Sequence, residues 1–184
     1  MAGAGFYDAG ALRHVAINLF YGWGYNFYRL ENQLRADDQL VRAQAAALLG
    51  QALAAVQAAE SDWRREKLPP PSRAHPFPDP EAVAAAQALE RLGRGIGALE
   101  GRLHALPAPE NDRMSQRHRQ EAQTLTALID CDEQLVGQAE LMRAMVQGQA
   151  GGWILEHLAD LEAGLAAIGE TLARRETALT GRST

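Results

Sequence analysis

The sequence is poor in cysteine, lysine, proline and aromatic residues, and it lacks long apolar segments. The single cysteine, Cys131, excludes an intrachain disulfide and a cysteine-rich zinc module. No run of about 18 uninterrupted apolar residues exists, so no transmembrane helix is expected, and no signal peptide is recognisable. We therefore expect a cytoplasmic protein. Lys67 is the only lysine among 18 basic residues, and this arginine bias indicates a high-GC bacterial genome.

β-Branched residues are also scarce, whereas alanine accounts for 35 of the 184 positions. A chain dominated by Ala, Leu, Gln, Glu and Arg favours helix almost throughout, which predicts an all-α fold and excludes a β-sandwich or barrel. The net charge of −5 argues against a nucleic-acid-binding protein, because phosphate contacts require a basic surface.

Proline and glycine divide the chain into four predicted helices. Six prolines fall within residues 69–80, which we interpret as a stiff, extended connector. Asp8 is a candidate N-cap for the first helix, and Gly151-Gly152 is a predicted break. The four predicted helices cover about residues 9–67, 81–106, 112–149 and 153–179. Their short connections predict one domain over residues 1–184, an elongated antiparallel four-helix bundle.

The spacing of apolar residues predicts how these helices pack. The second and fourth helices carry apolar residues at alternating steps of 3 and 4, which is typical of coiled-coil packing. In the first helix the apolar residues recur every 11 positions, for example Leu12, Ala45 and Val56. An 11-residue repeat predicts a nearly straight helix. If it is unbroken, that helix is roughly 85–90 Å long, and the alternative is a break near Asp37.

Three acidic residues fall on or beside the predicted apolar stripes. Asp37 and Asp38 flank the stripe of the first helix, and Asp132 interrupts that of the third. A buried carboxylate must be paired, hydrogen-bonded, protonated or bound to a metal. One interpretation is that Asp37 and Asp38 cap a new helix, while Asp132 lies at a bundle end or pairs with an arginine. The other is a polar site between the first and third helices.

The N-terminal 35 residues contain eight of the 11 aromatic residues. At 100° per residue, one side of the first helix is apolar and the opposite side combines tyrosine with polar residues. That second side, here called the tyrosine face, consists of His14, Asn18, Tyr21, Tyr25, Tyr28, Arg29 and Asn32. Its composition is typical of protein interfaces and ligand sites. It could instead pack within the bundle, and a membrane-surface role has little support because few basic residues flank it.

Motifs for catalysis or cofactor binding are missing. No glutamate is followed three residues later by histidine, as ferritin-like metal sites require. Acidic neighbours are expected to raise the pKa of Cys131, which suppresses its thiolate. No nucleotide-binding or serine-nucleophile motif occurs in the required context. We therefore expect no metal, no cofactor and no catalytic residue.

The sequence predicts a non-catalytic accessory or scaffold protein that uses the tyrosine face to bind a protein partner or a second copy, with a homodimer expected. The alternative is a bundle that binds a small cofactor, metal or ligand between the first and third helices. That alternative site would use His14, Asn18, Tyr25, Asp37, Asp38 and Asp132.

Overall fold

The computed structural model describes residues 5–22, 33–73, 76–106 and 118–180, with side chains described over 5–19, 39–73, 76–106 and 127–178. The described residues form a short 3₁₀ turn over Gly5–Tyr7 and six α-helices, without a β-strand. The helices are α1 (Ala9–Gly22), α2 (Gln33–Lys67), α3 (Pro80–Ala105), α4 (His118–Val146), α5 (Gly151–Glu156) and α6 (Leu158–Thr180). The all-α prediction is confirmed.

Local side-chain chemistry explains where two helices begin. The Asp8 carboxylate accepts hydrogen bonds from the backbone N–H groups of Gly10 and Ala11, each at 3.1 Å, and so caps α1 as predicted. Asp79 caps α3 by accepting from the Glu81 N–H at 3.1 Å. Pro80 then occupies the first helical position, where its missing N–H is not needed.

The four longest helices, α2, α3, α4 and α6, pack so that each contacts two of the others. α2 packs on α3, α3 on α6, α6 on α4, and α4 on α2. α2 and α3 are antiparallel, because Trp63 near the end of α2 bonds to Ala82 near the start of α3. At their opposite ends, the Arg42 guanidinium donates to the Leu106 carbonyl at 2.7 Å. The predicted coiled-coil positions supply much of this core, with Leu89, Ile96, Leu161 and Leu172 fully buried.

α1 and α2 do not lie on one straight axis. Leu12 of α1 lies directly against Gly137 of α4, and Arg42 of α2 is close enough to Asp132 to influence its pKa. Gly137 and Asp132 are about 7.5 Å apart along α4, whereas a straight helix would separate Leu12 from Arg42 by roughly 45 Å. Residues 23–32 lie outside the described part of the chain, so continuity of the helix there stays a prediction.

The alternative of a break near Asp37 is wrong, and the break predicted at Gly151-Gly152 lies a few residues earlier, between Val146 and Gly151. α2 continues through residues 37 and 38, so Asp37 and Asp38 do not cap a new helix at a break there. Gly151 and Gly152 belong to α5, where a Cβ added at Gly151 would lie 3.2 Å from the Trp63 ring and from the Ala59 carbonyl oxygen. Gly151 therefore allows close packing of α5 on α2. The fourth predicted helix is also interrupted at His157, which separates α5 from α6.

Candidate functional site

Two of the seven residues of the tyrosine face have described side chains, and both lie on the solvent side of α1. His14 and Asn18 are exposed, whereas Leu12 and Ala16 are buried. Tyr7, just before α1, is 56% exposed. The side chain of Tyr21 and all of Tyr25, Tyr28, Arg29 and Asn32 lie outside the described residues.

α1 approaches α4 unusually closely, and the 3₁₀ turn before α1 approaches α6 in the same way. A Cβ at Gly137 would lie 2.6 Å from the Leu12 carbonyl oxygen, and a Cβ at Gly164 would lie 2.6 Å from the Phe6 ring. Phe6 is fully buried, and its carbonyl accepts a hydrogen bond from Gln138 Nε2 at 2.9 Å. These contacts fix the N-terminal segment on the rest of the protein, with its polar side facing outward.

An ion pair strengthens this attachment. Arg13 Nε lies 3.2 Å from Glu133 Oε2, and the Glu133 side chain is only 7% exposed. Burial raises the pKa of Glu133, while Arg13 lowers it by charge attraction. The N-terminal segment is therefore held through backbone contact, aromatic packing and charge.

Asp132 is buried, in agreement with its position on the predicted apolar stripe. Arg175 Nε of α6 donates to Asp132 Oδ1 at 2.7 Å, and the Arg175 side chain is 1% exposed. Burial raises the pKa of Asp132 to about 8, against the lowering attraction of Arg42. Burial also lowers the pKa of Arg175, to about 10.

This arrangement does not resemble a metal site. The Asp132 carboxylate faces two guanidinium groups, and their positive charge disfavours a bound cation. The side chains of Asp37 and Asp38 fall outside the described set, and His14 lies in solvent rather than beside Asp132. Across the described ranges, no group of three or more His, Cys, Asp or Glu side chains could hold a metal ion.

Cys131, next to Asp132, is buried as well. Burial is the main cause that raises the pKa of its thiol; Asp132 and Asp130 raise it further, while Arg174 lowers it. The sequence predicted the acidic contribution and did not identify the larger effect of burial. A protonated, enclosed thiol is a weak nucleophile, so its surroundings do not favour catalysis.

Sequence reasoning missed Arg175, although a signal existed. The apolar positions Leu165, Ile168 and Leu172 continue by a step of three to Arg175, so a charged residue follows on the same stripe of α6. Two residues of opposite charge on two predicted core stripes indicate a buried pair. Phe77 in the proline-rich connector, which is exposed, was not among the predicted site residues either.

Comparisons with known proteins add no family assignment. No family model, curated protein or solved structure matches this chain. None of the described helices is long and apolar enough to cross a membrane.

Proposed function

We propose that this chain is a non-catalytic accessory or scaffold protein of the cytoplasm that binds a protein partner, or a second copy, through the tyrosine face of its first helix. Its architecture in this proposal is a four-helix bundle with coiled-coil-like packing. The observation that carries the proposal is the division of α1 into a narrow buried stripe and an exposed polar side, with His14 and Asn18 in solvent.

The composition of the exposed side supports binding. His14, Asn18 and Tyr21 follow at steps of three to four residues, so a helix carries them along one side. Tyrosine and asparagine combine contact area with hydrogen-bonding groups, and tyrosine is enriched among residues that dominate binding energy. Solvent-facing positions of α2 and α3 instead carry mostly Gln, Ala, Glu and Arg.

The way α1 is anchored also supports binding. The close contacts of Leu12 with Gly137 and of Phe6 with Gly164 fix the position of the segment before any partner arrives. A fixed surface loses less conformational entropy on binding than a mobile one, which favours affinity.

The test uses a photoreactive amino acid incorporated at Asn18, with the matched control at Glu162, which is exposed on α6. We expect a discrete cross-linked product from Asn18 that is absent from Glu162. The product should disappear when Tyr21→Ala and Tyr25→Ala are combined while circular dichroism and the melting temperature remain unchanged. Equal products from both positions, or none from Asn18, would contradict the proposal.

Native mass spectrometry of freshly purified, untagged protein separates this proposal from the ligand-binding alternative. A monomer or multimer of bare 19.9 kDa chains agrees with an interaction protein. A reproducible excess mass that is released on denaturation would instead support a bound cofactor or ligand. In that case Asp132→Ala should abolish the excess mass, because the alternative places the ligand beside that residue.

A further inference from the structure

A surface depression of about 400 Å³ lies at the corner where α2 ends and α3 begins. Its lining residues are Trp63, Lys67, Asp79, Glu81, Ala82 and Ala85. Two hydrogen bonds hold its walls in place: Trp63 Nε1 donates to the Ala82 carbonyl at 3.1 Å, and the Glu81 N–H donates to Asp79 at 3.1 Å. The depression is therefore a preformed feature of the surface.

An exposed aromatic ring lies in the chain segment beside this depression. Phe77 is 84% exposed and stands two residues before Asp79. Pro76 and Pro78 flank it, and their fixed φ angles restrict the backbone that carries the ring. Phe77 does not line the depression of its own chain. Burying such an apolar ring is favourable, so a receiving surface would stabilise it.

The charges around the depression complement one another. Lys67, at the end of α2, supplies a positive charge, and Asp79 and Glu81, at the start of α3, supply two negative charges. In an interface with two-fold symmetry, residue i of one copy meets residue j of the other, and j meets i. This corner has both a projecting ring and a recess, and it carries charges of both signs. Two copies of the same corner can therefore be complementary to each other.

We propose that this corner is a homodimer interface in which Phe77 of each copy inserts into the depression of the other copy. Trp63 and Ala85 contact the inserted ring, and Lys67 of one copy faces Asp79 and Glu81 of the other. The interface is separate from the tyrosine face on α1, so a dimer presents two copies of that face.

The first test is analytical ultracentrifugation of the full chain across a wide concentration range. We expect wild type to form a dimer, and Phe77→Ser to weaken dimerisation by more than about tenfold, as for a central aromatic contact. Tyr7→Ser, which removes the other exposed aromatic ring among the described residues, is the matched control and should dimerise like wild type. A wild type that stays monomeric, or a Phe77→Ser dimer as strong as wild type, would overturn the proposal.

A mixing experiment tests the reciprocal geometry. Ala85→Glu fills the depression but leaves Phe77 intact, whereas Phe77→Ser leaves the depression intact. A symmetric dimer has two equivalent contacts, each between Phe77 of one copy and the depression of the other. Each substitution alone removes both contacts, so each variant should be monomeric by itself. Their mixture keeps one intact contact, so native mass spectrometry should detect the heterodimer. If two variants with wild-type circular dichroism form no heterodimer, the exchange of Phe77 between copies is disproved.

Discussion

Arg175 and Asp132 form a buried, charge-assisted hydrogen bond that joins α6 to α4, with Nε and Oδ1 2.7 Å apart. The Arg102–Glu176 pair joins α3 to α6 one residue further along the chain, but both of its side chains are 38% exposed. These two pairs have similar chemistry and different burial, so they provide matched tests of what burial contributes.

Replacing Asp132 by Ala should destabilise the protein by about 3 kcal/mol, because the buried Arg175 guanidinium loses its hydrogen-bond acceptor. Glu176→Gln, at the half-exposed pair, should cost at most about 1 kcal/mol, since water screens that pair. Urea unfolding at neutral pH gives both free energies. Equal losses would show that burial does not distinguish the pairs.

The stability of wild type relative to Asp132→Asn should fall as pH rises from about 4 to about 8. The pKa of Asp132 is raised from 3.8 to about 8 in the folded protein. Between these values the folded state binds a proton that the unfolded chain releases, so rising pH favours unfolding. Asparagine does not titrate, so it removes this dependence. Urea unfolding at several pH values measures the difference, and parallel curves would contradict the assigned pKa.

Gly137→Ala should weaken the attachment of α1, because the new Cβ would lie 2.6 Å from the backbone oxygen of Leu12. Overpacking of this kind costs about 1–3 kcal/mol. The matched control is Gly101→Ala in α3, where nothing lies within 4 Å of the added Cβ. It should stabilise the protein by about 0.5–1 kcal/mol, since alanine favours helix. Hydrogen exchange should show faster exchange within α1 for Gly137→Ala alone.

The thiol of Cys131 should react slowly with an alkylating reagent in the folded protein. The side chain is buried and its pKa is raised, so the thiolate is both scarce and inaccessible. Mass spectrometry after a timed exposure to iodoacetamide should show rapid labelling only in urea. Rapid labelling of the native protein would mean that α4 opens readily around Cys131.

Apolar periodicity predicted which sides of the helices are buried. Ala45, Val56 and Leu12 belong to one 11-residue series, and all three are buried, although Leu12 lies in a helix on a different axis. Periodicity reports the apolar side of each segment and not the direction of its axis. The sequence therefore could not show that α1 and α2 lie on different axes.

The buried acid was predictable and its partner was not identified. Asp132 interrupts an apolar stripe, so its spacing indicated either burial or a place at a bundle end, and the structure shows burial. The pairing with Arg175 depends on the alignment of α4 and α6, which are joined through a separate short helix. The glycines at 137 and 164 also gave no decisive signal, because the sequence does not show which neighbour approaches them.

The contact between Phe6 and Gln138 spans 132 residues of chain, from the 3₁₀ turn to α4. At a synthesis rate of about 5–20 residues per second, Phe6 is made roughly 7–26 s before Gln138. The contacts that bury the Phe6 ring against α4 and α6 therefore form only after those helices have been synthesised.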